Sequence, residues 1–342
     1  MFLLSTFSGN IRPSNIPFLQ PITLVYPVLL IINILFLFYW SFLKSKTVLL
    51  PVVFLLLGIS NLWNNFQITL LPSNEDDKIS MVTYNVQQFR RQLNNTGTDT
   101  KSEIVHFIRK EDPHLLCLQE YHSRNTNLYE PLKQLRDTLN MESYYYESYF
   151  NPKYDNLTGL AIFSKFKAVN KGRLKFDGSR TFGIYIDVML QGDTTRIFNI
   201  HLASIRLTPE DLDFVINPES SKTGSFKNTS LDIYHKLVQA YELREKQTDY
   251  LVKMIDSCQY RIILAGDFND TPSSWVYKQI VDKLNDSFKR KGNGFSATYA
   301  GPLPYLRIDY IFTNSDFTIS DYSRNKLDFS DHYPVSATFS EH

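Results

Sequence analysis

The amino-acid sequence predicts an α/β domain that follows a block of membrane-spanning helices. All 35 Asp and Glu residues lie after residue 72, so the composition changes sharply there. From Lys78 onward, apolar runs with strand spacing alternate with runs of helical spacing. Four consecutive strand-like runs in the middle of this part indicate antiparallel sheet in addition to the strand-helix alternation.

The first 72 residues have the composition of a membrane anchor. Ile22–Leu43 is almost wholly apolar and long enough to cross a bilayer, which needs roughly 20 residues. Thr47–Trp63 is a second, slightly shorter candidate, and Met1–Gln20 is a candidate for part of a third. The alternatives are a signal peptide and a buried core hairpin. A signal peptide fits poorly, because no charged region precedes the apolar stretch and no clean cleavage site follows it.

The charges around these stretches predict an orientation. Lys44 and Lys46 lie between the two apolar stretches, whereas residues 75–77 are acidic. Because positive charge is retained on the cytoplasmic side, we expect the short loop inside and the catalytic domain, residues 73–342, outside. The sequence therefore predicts an integral protein of the cell (inner) membrane with an extracytoplasmic domain.

The domain that follows divides into strands, helices and one long loop. The predicted strands are Ile79–Val86, His114–Gln119, Tyr144–Phe150, Gly159–Phe163, Gly183–Leu190, Thr195–Ile200, the run from Arg261, Arg307–Phe312 and Tyr333–Phe339. The predicted helices are Thr100–Lys110, which Pro113 ends, Leu128–Leu139, Leu231–Ile255 and a stretch around Trp275–Leu284. Thr208–Asn228 contains Pro209, Pro218 and Gly224 and is predicted to be a long loop.

Charge and cysteine content exclude some function classes. The first 72 residues hold three basic residues, which leaves 33 basic and 35 acidic residues, a balance of about −2, in the remainder. That balance gives no electrostatic footprint for a nucleic-acid binder. Cys117 and Cys258 lie in or beside apolar runs, so we expect core or near-core thiols and neither a disulfide framework nor a zinc site.

The strand that begins at Arg261 ends in a polar turn. Gly266 stops the apolar run, and Asp267, Phe268 and Asn269 follow. Polar residues at the end of a buried strand point out of the core, where a site is expected. Taken alone, the same residues also fit an Asx-type turn that closes the strand.

Several other predicted strands end in residues of the same chemical kind. The full set is Asn85, Glu120, His201, Asp267, Asn269, Asp309, Asp331 and His332. Each has an ordinary explanation by itself, such as a turn or a hydrogen-bonded core histidine. Together they form a set of hard oxygen ligands with two histidines, which suits Mg²⁺ or Mn²⁺ bound beside a phosphate. The set predicts phosphoester hydrolysis, which needs a Lewis acid, a base and a donor to the developing charge.

Six motifs in this part of the chain resemble those of the endonuclease/exonuclease/phosphatase superfamily, and the chain resembles a membrane-anchored bacterial-type member. They are Thr83-Tyr84-Asn85-Val86, Leu118-Gln119-Glu120, Asn199-Ile200-His201-Leu202, Gly266-Asp267-Phe268-Asn269, Arg307-Ile308-Asp309-Tyr310 and Ser330-Asp331-His332-Tyr333-Pro334-Val335. The resemblance covers the chain from about Lys78 to its end. It implies a four-layer α/β/β/α sandwich, as in DNase I, with the site where strand ends converge.

The resemblance also implies roles for the matching residues. Glu120 would be the principal metal ligand, with Asn85 nearby and Asp331 assisting. Asp267 would orient or deprotonate the attacking water, and Asn269, with Asn85, would hold the phosphate. His332 would stabilise the transition state, with Asp309 as its carboxylate partner. His201 would be a further catalytic residue. Asp270, Asp328 and Arg180 could also line the cleft, although no spacing argument separates them from surface residues.

His201 narrows the substrate class. Abasic-site endonucleases carry a tyrosine at this position, whereas the DNase I, inositol phosphatase and sphingomyelinase branches carry histidine. We therefore expect a membrane-anchored phosphodiesterase or phosphatase acting on an extracytoplasmic phosphoester, with a phospholipid headgroup as a candidate. The alternatives are an extracytoplasmic nuclease and, more remotely, an inactive membrane scaffold or binding module. Beyond the substrate and the bilayer, the sequence indicates no protein partner.

Overall fold

The computed structural model describes residues 1–69, 78–90, 100–123, 129–149, 157–176, 178–179, 181–217 and 226–341. Within these residues, an N-terminal helical segment precedes two six-stranded β-sheets. Helices pack on the outer faces of the sheets. The predicted four-layer sandwich preceded by apolar helices is therefore confirmed.

The N-terminal segment, residues 1–69, is mostly helical. Its elements are α1 (Phe2–Phe7), α2 (Tyr26–Phe42), α3 (Leu49–Leu57), α4 (Ile59–Asn65) and β1 (Phe66–Gln67), with 3-10 helices at Ser8–Asn10, Pro17–Val25 and Lys46–Val48. The continuous helical stretch Pro17–Phe42 has 26 residues and is long and apolar enough to cross a bilayer. The second predicted span, Thr47–Trp63, is instead bent by 64° at Gly58, so it crosses only if the bent pair counts as one span.

The remaining elements form the sandwich. The strands are β2 (Ile79–Asn85), β3 (Leu115–Ser123), β4 (Ser143–Ser148), β5 (Leu157–Ser164), β6 (Ala168–Leu174), β7 (Gly183–Leu190), β8 (Asp193–His201), β9 (Arg261–Asp267), β10 (Asn285–Asp286), β11 (Gly294–Phe295), β12 (Asp309–Thr313), β13 (Phe317–Arg324) and β14 (Val335–Glu341). The helices are α5 (Thr100–Glu111), α6 (Tyr129–Thr138), α7 (Pro209–Ile216), α8 (Phe226–Asp256), α9 (Trp275–Val281) and α10 (Ser287–Lys291). A short 3-10 helix spans Gln87–Phe89.

Each sheet has a parallel pair at its centre. The first sheet has the strand order β13-β14-β2-β3-β5-β4, and the second has the order β10-β12-β9-β8-β7-β6. Strands β2 and β3 are parallel, as are β8 and β9, and the other neighbouring strands are antiparallel. Because the two parallel pairs occupy similar positions, the ends of four central strands reach one edge of the sandwich.

The hydrophobic core lies between the two sheets. Met81 and Cys117 of the first sheet belong to the same buried cluster as Ile186 and Leu264 of the second. Alternate residues of the first sheet, such as Leu116, face outward and pack on α5 and α6. This alternation is what period-two spacing predicts for a strand buried on both faces. As expected, Cys117 is buried and Cys258 is partly buried, and both are free thiols.

One predicted loop was wrong, and two edge strands were not predicted. Thr208–Asn228 is not a single loop, because α7 begins directly after Thr208. A capping box between Thr208 and Asp211 starts this helix, and Pro209 occupies its first turn, where proline is favoured. Strands β6 and β13 were missed: both are edge strands, whose exposed residues break the hydrophobic alternation.

Candidate active site

The strand register brings the predicted site residues of the second sheet side by side. His201 at the end of β8 lies opposite Asp267 at the end of β9, and Asp309 at the start of β12 lies opposite Asp267 from the other side. Because β12 runs antiparallel to β9, its first residue meets the last residue of β9. Three catalytic candidates therefore stand in one row across three strands.

Gly266 fixes how closely β8 and β9 approach at this row. Its φ is +139°, and a Cβ atom there would lie 2.0 Å from the carbonyl oxygen of Ile200. Only glycine fits such a conformation and such an approach. The glycine that ends the apolar run therefore sets the spacing of the two strands one residue before Asp267.

Asp267 is the centre of the site. Its Oδ2 accepts a hydrogen bond from Asn85 Nδ2 at 3.0 Å and lies 3.6 Å from His201 Nε2 and 3.8 Å from His332 Nε2. Its Oδ1 accepts the backbone N–H of Asn269 at 2.8 Å. The Asn85 contact crosses from the first sheet to the second, so Asp267 joins the site residues of both sheets.

His332 and Asp309 form a buried pair. His332 Nδ1 lies 2.9 Å and 3.2 Å from the two carboxylate oxygens of Asp309. Burial alone lowers the pKa of His332, but the charges of Asp309 and Asp267 outweigh burial and raise this pKa to about 10. Burial raises the pKa of Asp309, and His332 limits that rise. The imidazole is therefore held as a cation whose Nε2 faces Asp267.

Sequence reasoning missed the partner of His201. The hydroxyl of Tyr149 lies 2.6 Å from His201 Nδ1. Burial raises the pKa of Tyr149 well above its ordinary value, so the hydroxyl stays protonated and can donate to this nitrogen. In that arrangement His201 carries its proton on Nε2 and directs it at Asp267. Tyr149 follows β4 directly, whereas the sequence predicted a strand that continues to Phe150, so no strand-end signal marked this residue.

Glu120 does not end its strand as predicted. Strand β3 continues to Ser123, and its pairing with β5 shifts register between Leu118 and Tyr121. Glu120 sits in this bulge with a left-handed φ of 53°. Such a conformation is uncommon outside glycine and often marks a functional site. The bulge leaves Glu120 half-buried, with Gln88 Nε2 at 3.4 Å from its carboxylate.

Negative charge is concentrated beside Glu120. Burial raises the pKa of Asp331, and the carboxylates of Glu120 and Asp267 raise it further, against the lowering effect of His332. Asn85 adds a carboxamide oxygen, which accepts the backbone N–H of Gln87 at 3.1 Å. These donors are hard oxygens in a carboxylate-rich environment, so Glu120, Asn85 and Asp331 fit a Mg²⁺ or Mn²⁺ ion.

Among the described residues, a second group could also hold a cation. Ligand atoms of Asp267, Asp309 and His332 all lie within 4.8 Å of one another. However, Asp309 already contacts His332 Nδ1 through both oxygens. A protonated imidazole cannot ligate a metal. We therefore take Glu120, Asn85 and Asp331 as the candidate cation ligands, and this trio as the candidate proton-bearing group.

Asn269 lies beside these groups in a strained turn. Its φ is 51°, a conformation that asparagine tolerates better than most residues. Its Nδ2 donates to the carbonyl of Leu202 at 3.1 Å. That bond ties the end of β9 to the residue after His201 and leaves the second amide hydrogen of Asn269 for a substrate oxygen.

Two buried amides beneath the site were also missed as functional residues. Gln119 Nε2 donates to Asn199 Oδ1 at 2.7 Å, and Asn199 Nδ2 donates to the carbonyls of Leu118 and Ala161 at 3.0 and 2.9 Å. Both amide side chains are fully buried, and their bonds join the two sheets. Their place within the motifs that contain Glu120 and His201 was the signal that could have found them.

The structure does not place the three remaining cleft candidates, Asp270, Asp328 and Arg180, among the site residues. Asp270 is 1% exposed and faces Arg244 at 3.3 Å, so it belongs to the interior and not to the cleft. Asp328 is exposed, and Arg180 lies outside the described residues. A cleft of about 330 Å³ does open beside Asp331, and it is lined by Gln87, Arg90, Ala300, Gly301 and Asp331.

Comparison with known proteins agrees with this geometry. The profile of the Endonuclease/Exonuclease/phosphatase family matches residues 82–332, and that of a domain of unknown function (DUF8431) matches residues 1–66. No curated protein matches the sequence. The profile match includes all eight predicted site residues.

Solved structures share the fold at low sequence identity. An endonuclease/exonuclease/phosphatase from Beutenbergia cavernae is 18% identical with a TM-score of 0.56, covering 77% of this chain and 72% of that one. The human Nocturnin catalytic domain with bound sulfate is 18% identical with a TM-score of 0.55, covering 79% and 97%. A family protein from Bacteroides vulgatus is 12% identical with a TM-score of 0.55, covering 78% and 100%. The chain therefore belongs to the endonuclease/exonuclease/phosphatase family, whose members hydrolyse phosphoesters.

Proposed function

We propose that this protein is a membrane-anchored, divalent-metal-dependent phosphoester hydrolase that acts on an extracytoplasmic substrate, with a phospholipid headgroup as the first candidate. The observation that carries the proposal is the convergence of side chains from both sheets on Asp267. Asn85 ends β2 and His332 precedes β14 in the first sheet, and His201 ends β8 in the second. In this arrangement Asp267 can accept a proton from water. It lies between the oxygens proposed to bind the cation and the imidazolium of His332.

Each group has a distinct task in this proposal. Asp267 accepts a proton from the attacking water or orients it, because its Oδ2 faces the cleft groups. The imidazolium of His332, held by Asp309, stabilises negative charge on the phosphoryl oxygens. His201 donates from Nε2. When bound, Mg²⁺ or Mn²⁺ supplies Lewis-acid polarisation of the phosphoryl group.

The N-terminal segment supports membrane attachment. On α2, Leu35 is 60% exposed, Phe38 is 67% exposed and Phe42 is 85% exposed. A core helix of a water-soluble protein would bury such side chains, whereas lipid would cover them. A site held beside a bilayer meets lipid headgroups at high local concentration. Lys44 and Lys46 lie between the two apolar stretches, and positive charge is retained on the cytoplasmic side. This supports an anchor in the inner membrane with the site on its extracytoplasmic side.

The cleft beside the site suits an anionic substrate. Arg90 is exposed and lines it together with Asp331. A guanidinium at this position can contact a second phosphate or another acidic group of the substrate. The cleft is open enough to admit a headgroup and does not itself distinguish a lipid from a short nucleic-acid end, so an extracytoplasmic nuclease is the second candidate function.

A substrate panel with the full-length protein in nanodiscs separates these functions. We expect Mg²⁺-dependent release of headgroup from phospholipid or sphingomyelin vesicles, and little cleavage of single-stranded or double-stranded DNA. The Asp267→Asn variant is the matched control, because it shows that turnover belongs to this site. Cleavage of DNA with untouched lipid would contradict the lipid proposal and support the nuclease.

Metal dependence is tested at Glu120. Chelation should abolish turnover, and Glu120→Gln should weaken Mg²⁺ or Mn²⁺ binding by roughly tenfold to a hundredfold, because it removes the principal anionic ligand. Isothermal titration with Mn²⁺ measures this without any substrate. Glu147→Gln is the control, because Glu147 lies in the edge strand β4 of the same sheet and pairs with Arg173. Equal metal affinity in Glu120→Gln and the wild-type protein would move the cation site elsewhere.

A further inference from the structure

We infer that the N-terminal segment is a structural part of the active site and not a passive tether. It packs against the back of the two chain segments that carry Asp267, Asn269 and Asp309. The first is the turn formed by residues 270–274, directly after Asn269, and the second is the residue pair that precedes Asp309. The inference goes beyond the proposed function and rests on it only where turnover is measured.

The turn of residues 270–274 is buried against the N-terminal segment. Thr271, Ser273 and Ser274 are 0% to 2% exposed. A Cβ atom on Gly9 would lie 2.1 Å from the carbonyl oxygen of Ser273, so the two backbones are in direct contact. Asn65 Nδ2 lies 3.4 Å from Ser273 Oγ. The polar groups of this turn therefore face a surface that the N-terminal segment forms.

The start of β12 is held by the same segment. Arg307, two residues before Asp309, is 4% exposed, and its Nη2 donates to the carbonyl of Asn64 and to Asp286, both at 2.9 Å. Its Nε and Nη1 are buried without a hydrogen-bond partner among the described residues. The Asn64 carbonyl is thus one of the few acceptors for the buried Arg307 guanidinium. Its loss would leave this buried charge with one hydrogen bond fewer.

Helix α8 connects the segment to the site by a third route. Thr23 Oγ1 lies 3.4 Å from the hydroxyl of Tyr241, whose ring lies 4.3 Å from the Arg244 guanidinium. Arg244 is fully buried and donates to the carbonyls of Ala203 and Asn269. Ala203 lies two residues after His201, and Asn269 lies two residues after Asp267. Helix α8 therefore binds the backbone of both loops that follow these catalytic candidates.

Charged contacts fix the segment to the outer side of α8. Ser14 donates to Glu245 through its backbone N–H at 2.7 Å and through its hydroxyl at 2.8 Å. Arg12 lies 3.3 Å from Glu245 and 2.5 Å from Asp249. Hydrogen bonds and ion pairs are directional, so they specify one position of the N-terminal segment on α8. Burial of apolar surface alone is not directional and would not do so.

The test measures hydrogen exchange on the full-length protein in nanodiscs. Gly9→Ala forces the segment away from Ser273, so we expect peptides that cover residues 268–276 and 305–310 to exchange at least tenfold faster. Gly58→Ala is the matched control: the atoms nearest to its Cβ belong to the ring of Phe2, at 3.1 Å, and to the carbonyl of Phe54, at 3.3 Å, and none belongs to residues 270–274. Unchanged exchange in both peptides of Gly9→Ala would overturn the inference.

A milder variant covers the case in which Gly9→Ala does not fold. Arg12→Ala removes the contacts to Glu245 and Asp249 from a half-exposed side chain and should raise exchange in the same peptides to a smaller extent. Lys46→Ala is its control. Increased exchange confined to α1 and α4, with residues 268–276 unchanged, would contradict the inference.

Turnover supplies a second readout. For any phosphoester the protein hydrolyses, Gly9→Ala should lower kcat at least tenfold with a much smaller change in KM, because the site groups move while the cleft at Arg90 stays in place. An unchanged kcat together with faster exchange would also overturn the inference. If no substrate is found, the exchange result still decides it, so failure of the proposed function and failure of this inference remain distinct.

Discussion

Asp267→Asn is expected to lower kcat for phosphoester hydrolysis by roughly 10³-fold, within the range that a positioned general base contributes. The substitution keeps the size of the side chain and an acceptor for the backbone N–H of Asn269. It removes the negative charge and turns one carboxylate oxygen into a donor that faces Asn85 Nδ2. Steady-state kinetics on the substrate found in the panel measures the loss.

The matched control for Asp267→Asn is Asp282→Asn, which changes an exposed aspartate at the end of α9. Its kcat should equal that of the wild-type protein. Thermal unfolding should show that both variants fold, so a loss of activity at Asp267 cannot be attributed to unfolding. If Asp267→Asn keeps kcat within tenfold of the wild-type value, Asp267 is not the proton acceptor.

Asp309→Asn is expected to lower kcat at neutral pH by roughly 10² to 10³-fold, because His332 loses the charge that keeps it protonated. In the wild-type protein, the pKa of His332 is raised to about 10, so the imidazolium persists through neutral pH and activity should fall only as pH rises through about 10. Without the Asp309 charge, burial lowers this pKa, and the basic limb of the pH-rate profile should move towards acid.

Titration of His332 by NMR in chelator measures the same change without turnover. The raised pKa also links the pair to stability: its contribution is fully present below the ordinary value of 6.5 and is lost as pH rises through about 10. A basic limb that does not move in Asp309→Asn would show that Asp309 does not control the charge of His332.

Local pattern was sufficient to place several candidate site residues at strand ends. The period-two runs that end at Asn85, His201 and Asp267 are buried strands, and parallel pairing makes such ends coincide. The long charged helix was also predicted, although it begins at Phe226 and not at Leu231. These features depend on spacing along a few residues, which a sequence displays directly.

The features that sequence reasoning missed depend on contacts between distant parts of the chain. The bulge at Glu120 arises from pairing between β3 and β5, and nothing within the run of β3 indicates a register shift. Tyr149 gains its role only because β4 ends beside His201. The polar residues Asn61, Asn64 and Asn65 resembled the weakly polar end of an apolar span, yet they are buried against protein. The partners of Asn64 and Asn65 are Pro272 and Ser273, which lie 208 positions away in the chain. Asn61 donates to the carbonyl of Thr6, 55 positions away.

The close approach at Gly266 has a consequence for how such a protein can change. Because the contact with Ile200 is between backbones, the distance between β8 and β9 beside His201 and Asp267 is set without any side-chain contact. The length and the charge of loops around the cleft can therefore change while β8 and β9 keep their separation. To redirect this protein to another phosphoester, Arg90 is a position to vary, whereas Asp331 in the same cleft and Gly266 should be kept.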